Sequence, residues 1–447
     1  MSELIISVSG LRGIVGETLT PEEASRYARA FAAGLPEGPI VVTRDGRATG
    51  AMLSDVICGA LAATGRDTID ADVAATPTTG VLVREYQAAG GVQISASHNP
   101  AEYNGMKLFS REGRVISALD GKKVIRRYRE DASTWVTNES IGRRTACDQP
   151  TAAHLEKVLA TVDVGRIRGR SFQVLLDANH GAGSVLGRAL LDKLGCETTV
   201  LGETPDGDFA HTPEPTADNL ASVLAEVTRA GADIGFCQDP DADRLAVIDA
   251  GGNYLGEEYT LAMCVEHVLR TTKGPIVTNC STSRMSQDVA MRHGVSFHRS
   301  AVGEANVTEA MRASGALFGG EGNGGVIDPR VGEVRDSFVG MALLLDAMAA
   351  REITVRELAD ELPRYEIVKT KISLDREKIP AALDALEQHF GDECSDRLDG
   401  LRIDWPDKWL LVRASNTEPI VRAIAEAPMA EEAERLCAES AEVLGAV

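Results

Sequence analysis

Three stretches of the chain repeat one pattern of apolar and polar positions. Each opens on a short apolar run, passes through helical and strand-like patterns, and ends on an apolar run that empties into a small, polar loop. The first opens at "PIVVTRDGR" and ends at "GGVQISASHNP". The second opens at "FQVLLDANHGAGS" and ends at "ADIGFCQDPDADR". The third opens at "GPIVTNCSTS" and ends at "GALFGGEGNGG". Runs such as "QVLLD" are apolar without alternation, as expected of strands buried on both faces. Between them, "SVLGRALLDKLG" carries apolar residues at helical spacing and stops on Gly. Strands alternating with helices predict layered α/β units. One order met three times predicts three similar mixed α/β domains, although residue identity between them is slight.

The last part of the chain reads differently. After "LPRYEIVKTKISL" come a helical pattern, "IPAALDALEQHF", two strand-like runs, "KWLLVR" and "IVRAIAE", and an Ala/Glu-rich helix, "AEEAERLCAESAEVLG". This is the pattern of a smaller α+β domain. Pro363 in "ELPRYE" breaks the preceding helix and marks a hinge. The expected domains are residues 1–148, 149–252, 253–362 and 363–447, arranged around a central cleft.

Composition narrows the function classes. The 447 residues are 44% hydrophobic and 25% charged, ordinary for a folded soluble protein. A formal charge of −21 argues against general binding to nucleic acid or docking on an anionic membrane, but leaves room for an anionic small molecule in a locally basic cleft. The start, "MSELIISVSGLRG", has no secretory pattern and no run is long enough to span a bilayer. The eight cysteines are scattered without a CxxC pair, which predicts reduced thiols in a cytoplasmic protein.

The loops hold the candidate chemistry. In "DPDADR", Asp239, Asp241 and Asp243 alternate, so their oxygens can converge on a hard cation such as Mg²⁺. Arg244 follows and can hold an anion beside it. An acidic surface turn has the same composition, but the preceding "ADIGF" puts this loop at a strand's C-terminal end, where α/β proteins bind ligands. In "RASNTEPIVRA", Arg413, Ser415, Asn416, Thr417 and Arg422 can wrap one phosphate; a hairpin turn between stray arginines is the plainer reading. The glycines of "GGEGNGGV" let a backbone approach a ligand, with Glu321 and Asn323 for sugar hydroxyls, or form a flexible loop. Arg12, Arg44, Arg47 and Lys107 are single basic residues of a kind usually found solvated. "ISASHNP" ends an apolar run on Ser95, Ser97 and His98, which reads either as a turn or as a hydroxyl presented at a strand end. On an extended segment neighbouring side chains point apart, so His98 is not expected to serve Ser97 as a base.

The motifs "SASHNP", "NGMK", "DPDADR", "GGEGNGG" and "RASNTEP", in this order across the whole chain, resemble the α-D-phosphohexomutase family. The resemblance implies one main loop per domain: phosphoserine, metal, sugar and phosphate, in that order. It implies that Ser97 is the phosphoserine, and that Asp239, Asp241 and Asp243 hold Mg²⁺ with a Ser97 phosphate oxygen. Lys107 and Arg244 then stand near the reacting hydroxyl, with Lys107 to help move its proton, and Arg12 stabilises the transferring phosphoryl group. Glu321 and Asn323 hold the sugar, and Arg413, Ser415, Asn416, Thr417 and Arg422 hold the phosphate that is not reacting.

The implied reaction moves phosphate between positions 6 and 1 of a hexose phosphate through a bisphosphate intermediate, with hexose 1,6-bisphosphate as the activator that phosphorylates the serine. Glucosamine 6-phosphate and glucosamine 1-phosphate are the first reading of the substrate pair; glucose or mannose phosphates are the alternative. A non-catalytic sugar-phosphate sensor or a metal-dependent phosphatase is the reading from a different class. Retention of Ser97 and all three aspartates speaks against the sensor. The sequence departs from the family pattern at Pro240, where bacterial relatives often have Gly. It departs again at Asn323, at Gly325 where many have His, and at Asn416 where Gly is common. The sugar-loop changes look like an archaeal-type variant.

Overall fold

The structure is a computed structural model, and it describes residues 4–7, 10–131, 134–391, 393–414 and 420–445. Its strands fall into four sheets of seven, four, four and five strands. The first three share a common core. In each, a parallel trio has the first strand of the unit in the middle and the third beside it, and a fourth strand runs antiparallel to the third. In the first sheet the trio is Thr68–Val73, Ile40–Arg44 and Gly90–Ile94, and the antiparallel strand is Tyr103–Ser110. In the second the trio is Glu197–Leu201, Gln173–Asp177 and Ile234–Gln238, followed by Leu245–Asp249. In the third it is Phe297–Ser300, Ile276–Asn279 and Phe318–Glu321, followed by Gly325–Ile327. The middle strands are buried over four residues each, which is why they read as apolar runs.

This shared order positions the site. The connection from the third strand to the fourth is a hairpin at the C-terminal end of the parallel trio. It closes on Ile94 opposite Met106, Gln238 opposite Leu245, and Glu321 opposite Gly325. The serine, aspartate and glycine loops are these three hairpins. Helices cover the sheets. Helix Ser337–Arg351 is apolar almost all round and packs into one core with Phe236, Val247, Leu261 and Phe318, so the second and third sheets share a hydrophobic interior. The first sheet has its own core around Tyr27, Phe31, Val42 and Leu108.

The fourth sheet is antiparallel throughout. Helices Ile379–His389 and Ala430–Gly445 pack on it through Leu386 and Leu436. Helix Val355–Asp360 ends before Pro363, and the new sheet starts at Glu366. No helix among the described residues is long and apolar enough to cross a membrane.

Candidate active site

Ser97 sits in the first hairpin loop with φ of 51°, a left-handed conformation that costs a serine free energy and persists only where its surroundings hold it. Those surroundings are well defined. Ser95 Oγ donates to Asp45 Oδ2 at 2.7 Å and accepts from the Ser97 N–H at 2.8 Å. Asp45 also receives the Arg47 N–H and Nε, at 2.9 and 3.1 Å. The Arg47 guanidinium then donates to four backbone carbonyls of the loop and its exit, those of Ser97, Asn99, Pro100 and Tyr103, at 2.6–3.0 Å. Arg47 is 1% exposed. The expectation that this arginine is solvated is therefore wrong. A planar guanidinium with five donors can satisfy a ring of carbonyls that no other side chain could.

The serine points across the domain boundary. Ser97 Oγ donates to Asp239 Oδ2 at 3.1 Å. One oxygen from each of Asp239, Asp241 and Asp243 lies within 4.8 Å of the others, and all three residues are buried. Ala242 between them has φ of 54°, and that left-handed step lies between the second and third carboxylates. Pro240 fits because its carbonyl is in use: it accepts from the Ala182 N–H at 2.8 Å, and the chain at Gly181 passes so close that a Cβ there would come within 2.7 Å of Pro240 Cα.

Cations surround the carboxylates. Lys107 Nζ donates to Asp241 Oδ2 at 3.1 Å and Asp243 Oδ2 at 2.7 Å. Arg335 Nη2 reaches Asp243 Oδ2 at 2.7 Å. Arg244 Nε stands 3.9 Å from Asp239 and 3.8 Å from Asp243. Thr76 donates to Asp241 from the first domain. Arg12 donates to Asn99 Oδ1 at 3.1 Å, with Asp241 and Arg244 near enough to act on its charge. Burial pushes the Asp243 carboxyl up, but Arg335, Lys107 and Arg244 outweigh it and leave it below the usual carboxylate range. Asp239 has weaker cation contacts, and burial with two carboxylates beside it raises it well above that range. Burial works against charge on Lys107 too, yet Asp241 and Asp243 leave its ammonium harder to deprotonate than a free lysine. Oδ1 of Asp241 and Oδ1 of Asp243 are buried without a hydrogen-bond partner. Unsatisfied buried carboxylate oxygens converging on one point fit a hard divalent cation.

The glycine loop joins this cluster through Arg335. Arg335 Nη1 donates to Glu321 Oε2 at 2.7 Å, while Glu321 Oε1 accepts from Asn279 Nδ2 at 2.7 Å and the Gly303 N–H at 3.0 Å. Asn323 turns its Oδ1 to the Gly325 N–H at 3.3 Å. A Cβ at Gly325 would overlap the Arg335 side chain, and one at Gly322 would overlap the Glu258 carboxylate. Both glycines leave room for partners from elsewhere in the chain. Glu304 Oε1 accepts from the Arg335 N–H at 2.8 Å. Arg335, Glu304, Thr76 and Glu258 carry no local sequence signal; only the fold brings them here.

In the fourth domain, Arg413 and Arg422 are direct cross-strand partners at the mouth of a hairpin. Arg413 Nε donates to Asp399 Oδ2 at 3.0 Å. Like charges opposite each other repel unless an anion lies between them. Ser415, Asn416 and Thr417 lie outside the described residues.

His98 shows the second correction. Because Ser97 is left-handed, the segment is not extended, and Ser97 Oγ lies 3.4 Å from His98 Nδ1. Burial, with Arg244 and Arg12 beside it, pushes the imidazole down to about 3, so it is neutral at ordinary pH.

Four family descriptions match the chain in succession: phosphoglucomutase/phosphomannomutase alpha/beta/alpha domain I over residues 4–135, domain II over 152–252, domain III over 257–365, and the C-terminal domain over 370–443. A phosphoglucomutase/phosphomannomutase of Thermococcus kodakarensis is 38% identical over 437 residues, 95% of this chain and 94% of that protein. A probable phosphoglucosamine mutase of Pyrococcus horikoshii is 35% identical over 436 residues, 96% of this chain and 95% of that protein. Among solved structures, a phosphoglucomutase/phosphomannomutase family protein of Burkholderia thailandensis superposes with a TM-score of 0.87 at 26% identity, covering 99% of this chain and 97% of that one. The chain therefore belongs to the phosphoglucomutase/phosphomannomutase family and is a phosphohexomutase, an isomerase of hexose phosphates.

Proposed function

We propose that the chain is a phosphoglucosamine mutase, interconverting glucosamine 6-phosphate and glucosamine 1-phosphate, with Ser97 as the residue that carries the phosphate. The observation that carries the site assignment is the 3.1 Å approach of Ser97 Oγ to Asp239, with the hydroxyl held there by the Arg47 clamp. The choice of the amino sugar is supported by the relatives of Pyrococcus horikoshii and Methanopyrus kandleri, both named probable phosphoglucosamine mutase at 35% and 32% identity. The Thermococcus kodakarensis relative keeps glucose and mannose phosphates as the second reading.

In this reading the phosphoryl group leaves Ser97 Oγ for one sugar hydroxyl: the bond from Ser97 Oγ to phosphorus breaks, the bond from the sugar oxygen to phosphorus forms, and the proton of that hydroxyl ends on Ser97 Oγ, giving a hexose 1,6-bisphosphate and a free serine. The intermediate turns over, and Ser97 Oγ takes the phosphoryl group from the other end. Added hexose 1,6-bisphosphate phosphorylates an empty serine by the same step. Arg12 and Arg244 supply positive charge around the transferring group. Lys107, held charged by its two aspartates, adds a hydrogen-bond donor and a positive charge beside the transferring group. Asp239, Asp241 and Asp243 would hold Mg²⁺ together with an oxygen on Ser97, and the ion would neutralise charge on the phosphoryl group. Glu321 and Asn323 grip the sugar between its reacting ends. Arg413 and Arg422, with Ser415, Asn416 and Thr417, hold the distal phosphate. The eight free cysteines support a reducing compartment such as the cytoplasm.

The test is a coupled isomerisation assay on a panel of hexose 1-phosphates, primed with glucose 1,6-bisphosphate, run beside a free-phosphate assay and repeated after chelation of divalent cations. The reading expects the highest kcat/KM on glucosamine 1-phosphate, little free phosphate, and loss of turnover on chelation that Mg²⁺ restores. Release of phosphate at the rate of substrate loss would make the protein a phosphatase. A higher kcat/KM on glucose or mannose phosphate would select the second reading.

A further inference from the structure

Two carboxylates at the head of helix Glu257–Thr271, Glu257 and Glu258, have no part in the mechanism above. They line a cavity of about 520 Å³ together with Gly322 of the glycine loop, Ser283, Tyr365 and Lys369. That volume lies within the ~300–1,000 Å³ typical of small-molecule sites. The cavity is lined by neither Ser97 nor the three aspartates; it meets the proposed sugar site at Gly322.

The state of the two carboxylates points to a missing cation. Oε1 of Glu257 is buried and has no hydrogen-bond partner. Oε2 of Glu258 accepts from the Ser283 N–H at 2.9 Å, and its carboxylate lies where a Cβ at position 322 would be. Neither residue makes an ion pair among the described residues. The arginines of the same cavity are engaged elsewhere, since Arg356 and Arg364 both pair with Asp360. Arg244 and the exposed Lys369 act on Glu257, and Lys369 on Glu258, but neither lies within ion-pair distance. Burial pushes both carboxyls up, Glu258 to about 8. Left without a cation, Glu258 keeps its proton at neutral pH; a cation brought by the ligand favours the charged form and gains a charge-assisted contact. Among hexose phosphates, only an amino sugar brings one. Its ammonium group donates three hydrogen bonds, whereas a hydroxyl is neutral and donates one.

We propose that Glu257 and Glu258 form the wall that receives the ammonium group of a 2-amino-2-deoxyhexose phosphate, and so set the substrate preference of this enzyme. The proposal rests on the amino-sugar reading and names the residues behind it. It also accounts for Gly322, since any larger residue there would displace the Glu258 carboxylate from the edge of the sugar loop.

The experiment compares kcat/KM for glucosamine 1-phosphate and glucose 1-phosphate in the wild type, Glu257→Gln, Glu258→Gln and the double variant. Thermal unfolding serves to confirm folding. Each single variant is expected to lower the glucosamine-to-glucose ratio by tenfold or more. A wild type without preference for glucosamine removes the amino-sugar reading and this proposal with it. A wild type that prefers glucosamine, with variants whose ratio stays within twofold, overturns this proposal alone, as does an equal loss on both sugars. The wild type gives an independent readout by titration calorimetry. N-acetylglucosamine 6-phosphate, which lacks the charge, should bind at least tenfold more weakly than glucosamine 6-phosphate; equal binding would overturn the proposal even if no variant folds.

Discussion

Ser95 and Ser97 look alike in the sequence, and their surroundings separate them. Ser95 spends its hydroxyl on structure, donating to Asp45 and accepting from the Ser97 N–H. Ser97 Oγ faces the aspartate cluster. In purified protein, phosphate should therefore be found on Ser97, and Ser97→Ala should abolish both phosphate and turnover. Ser95→Ala should leave the phosphate on Ser97 while lowering kcat by roughly tenfold, since one buried partner lost on each side is worth about 1–3 kcal/mol. Peptide mass spectrometry with the isomerisation assay checks this; phosphate on Ser95 would reverse the assignment. The place of Ser97 was legible because its loop ends a buried strand. Arg47 was not. Nothing in "TRDGR" separates an arginine buried against four carbonyls from one in water, because its partners lie fifty or more positions along the chain. The approach of His98 to Ser97 was not legible for a related reason: the left-handed turn at Ser97 leaves no mark in the residue pattern.

At the scale of elements, one piece of architecture is used three times. A parallel strand runs into a hairpin, and the hairpin loop bears the chemistry. This much was legible, because buried strands write unbroken apolar runs and their loops write small and polar residues. The packing of one loop against another was not. Gly325 stands where many relatives have His, and the structure gives the reason: Arg335 lies across it and ties Asp243 to Glu321. The two positions should be coupled. Gly325→His alone should drive Arg335 off its two carboxylates and destabilise the protein by about 3–5 kcal/mol, the usual cost of breaking a buried pair. The double variant Gly325→His with Arg335→Gly frees that space and removes the unpaired arginine, so it should recover part of the loss. A double-mutant cycle on thermal unfolding and kcat/KM measures the coupling. Additive effects of the two changes would show that Gly325 is there for some other neighbour.

Across the whole molecule, the distal phosphate anchors must face Ser97 over a cleft, and the bisphosphate must have room to turn there without being lost. In the proposed mechanism the fourth domain supplies the anchors; in the structure it is docked on the third. Trp409, Leu411 and Ile424 pack on Cys280. Glu426 accepts from the Trp409 Nε1–H at 2.7 Å and the Arg284 N–H at 3.0 Å, and Arg402 donates to the Cys280 carbonyl. Asp399 is the link between anchor and cleft. It holds Arg413 at 3.0 Å and the Val302 N–H at 3.0 Å, and the next N–H, of Gly303, binds Glu321. A rotation about Pro363–Tyr365 that opens the cleft has to release this link, while the phosphate bound by Arg413 favours keeping it. Two variants separate grip from closure. Arg413→Ala removes charge-assisted bonds worth about 1.5–3 kcal/mol each, so KM should rise by roughly tenfold or more and free hexose bisphosphate per turnover should rise with it. Asp399→Ala leaves the arginine but unhooks it from the third domain. It should leak bisphosphate as well, and small-angle scattering should show a larger radius of gyration than wild type before substrate is added, which Arg413→Ala should not. If Asp399→Ala scatters like wild type and retains its intermediate, the fourth domain is held by its other contacts with the third, those of Trp409, Glu426 and Arg402, and the chain of contacts from Arg413 to Glu321 plays no part in keeping the cleft closed.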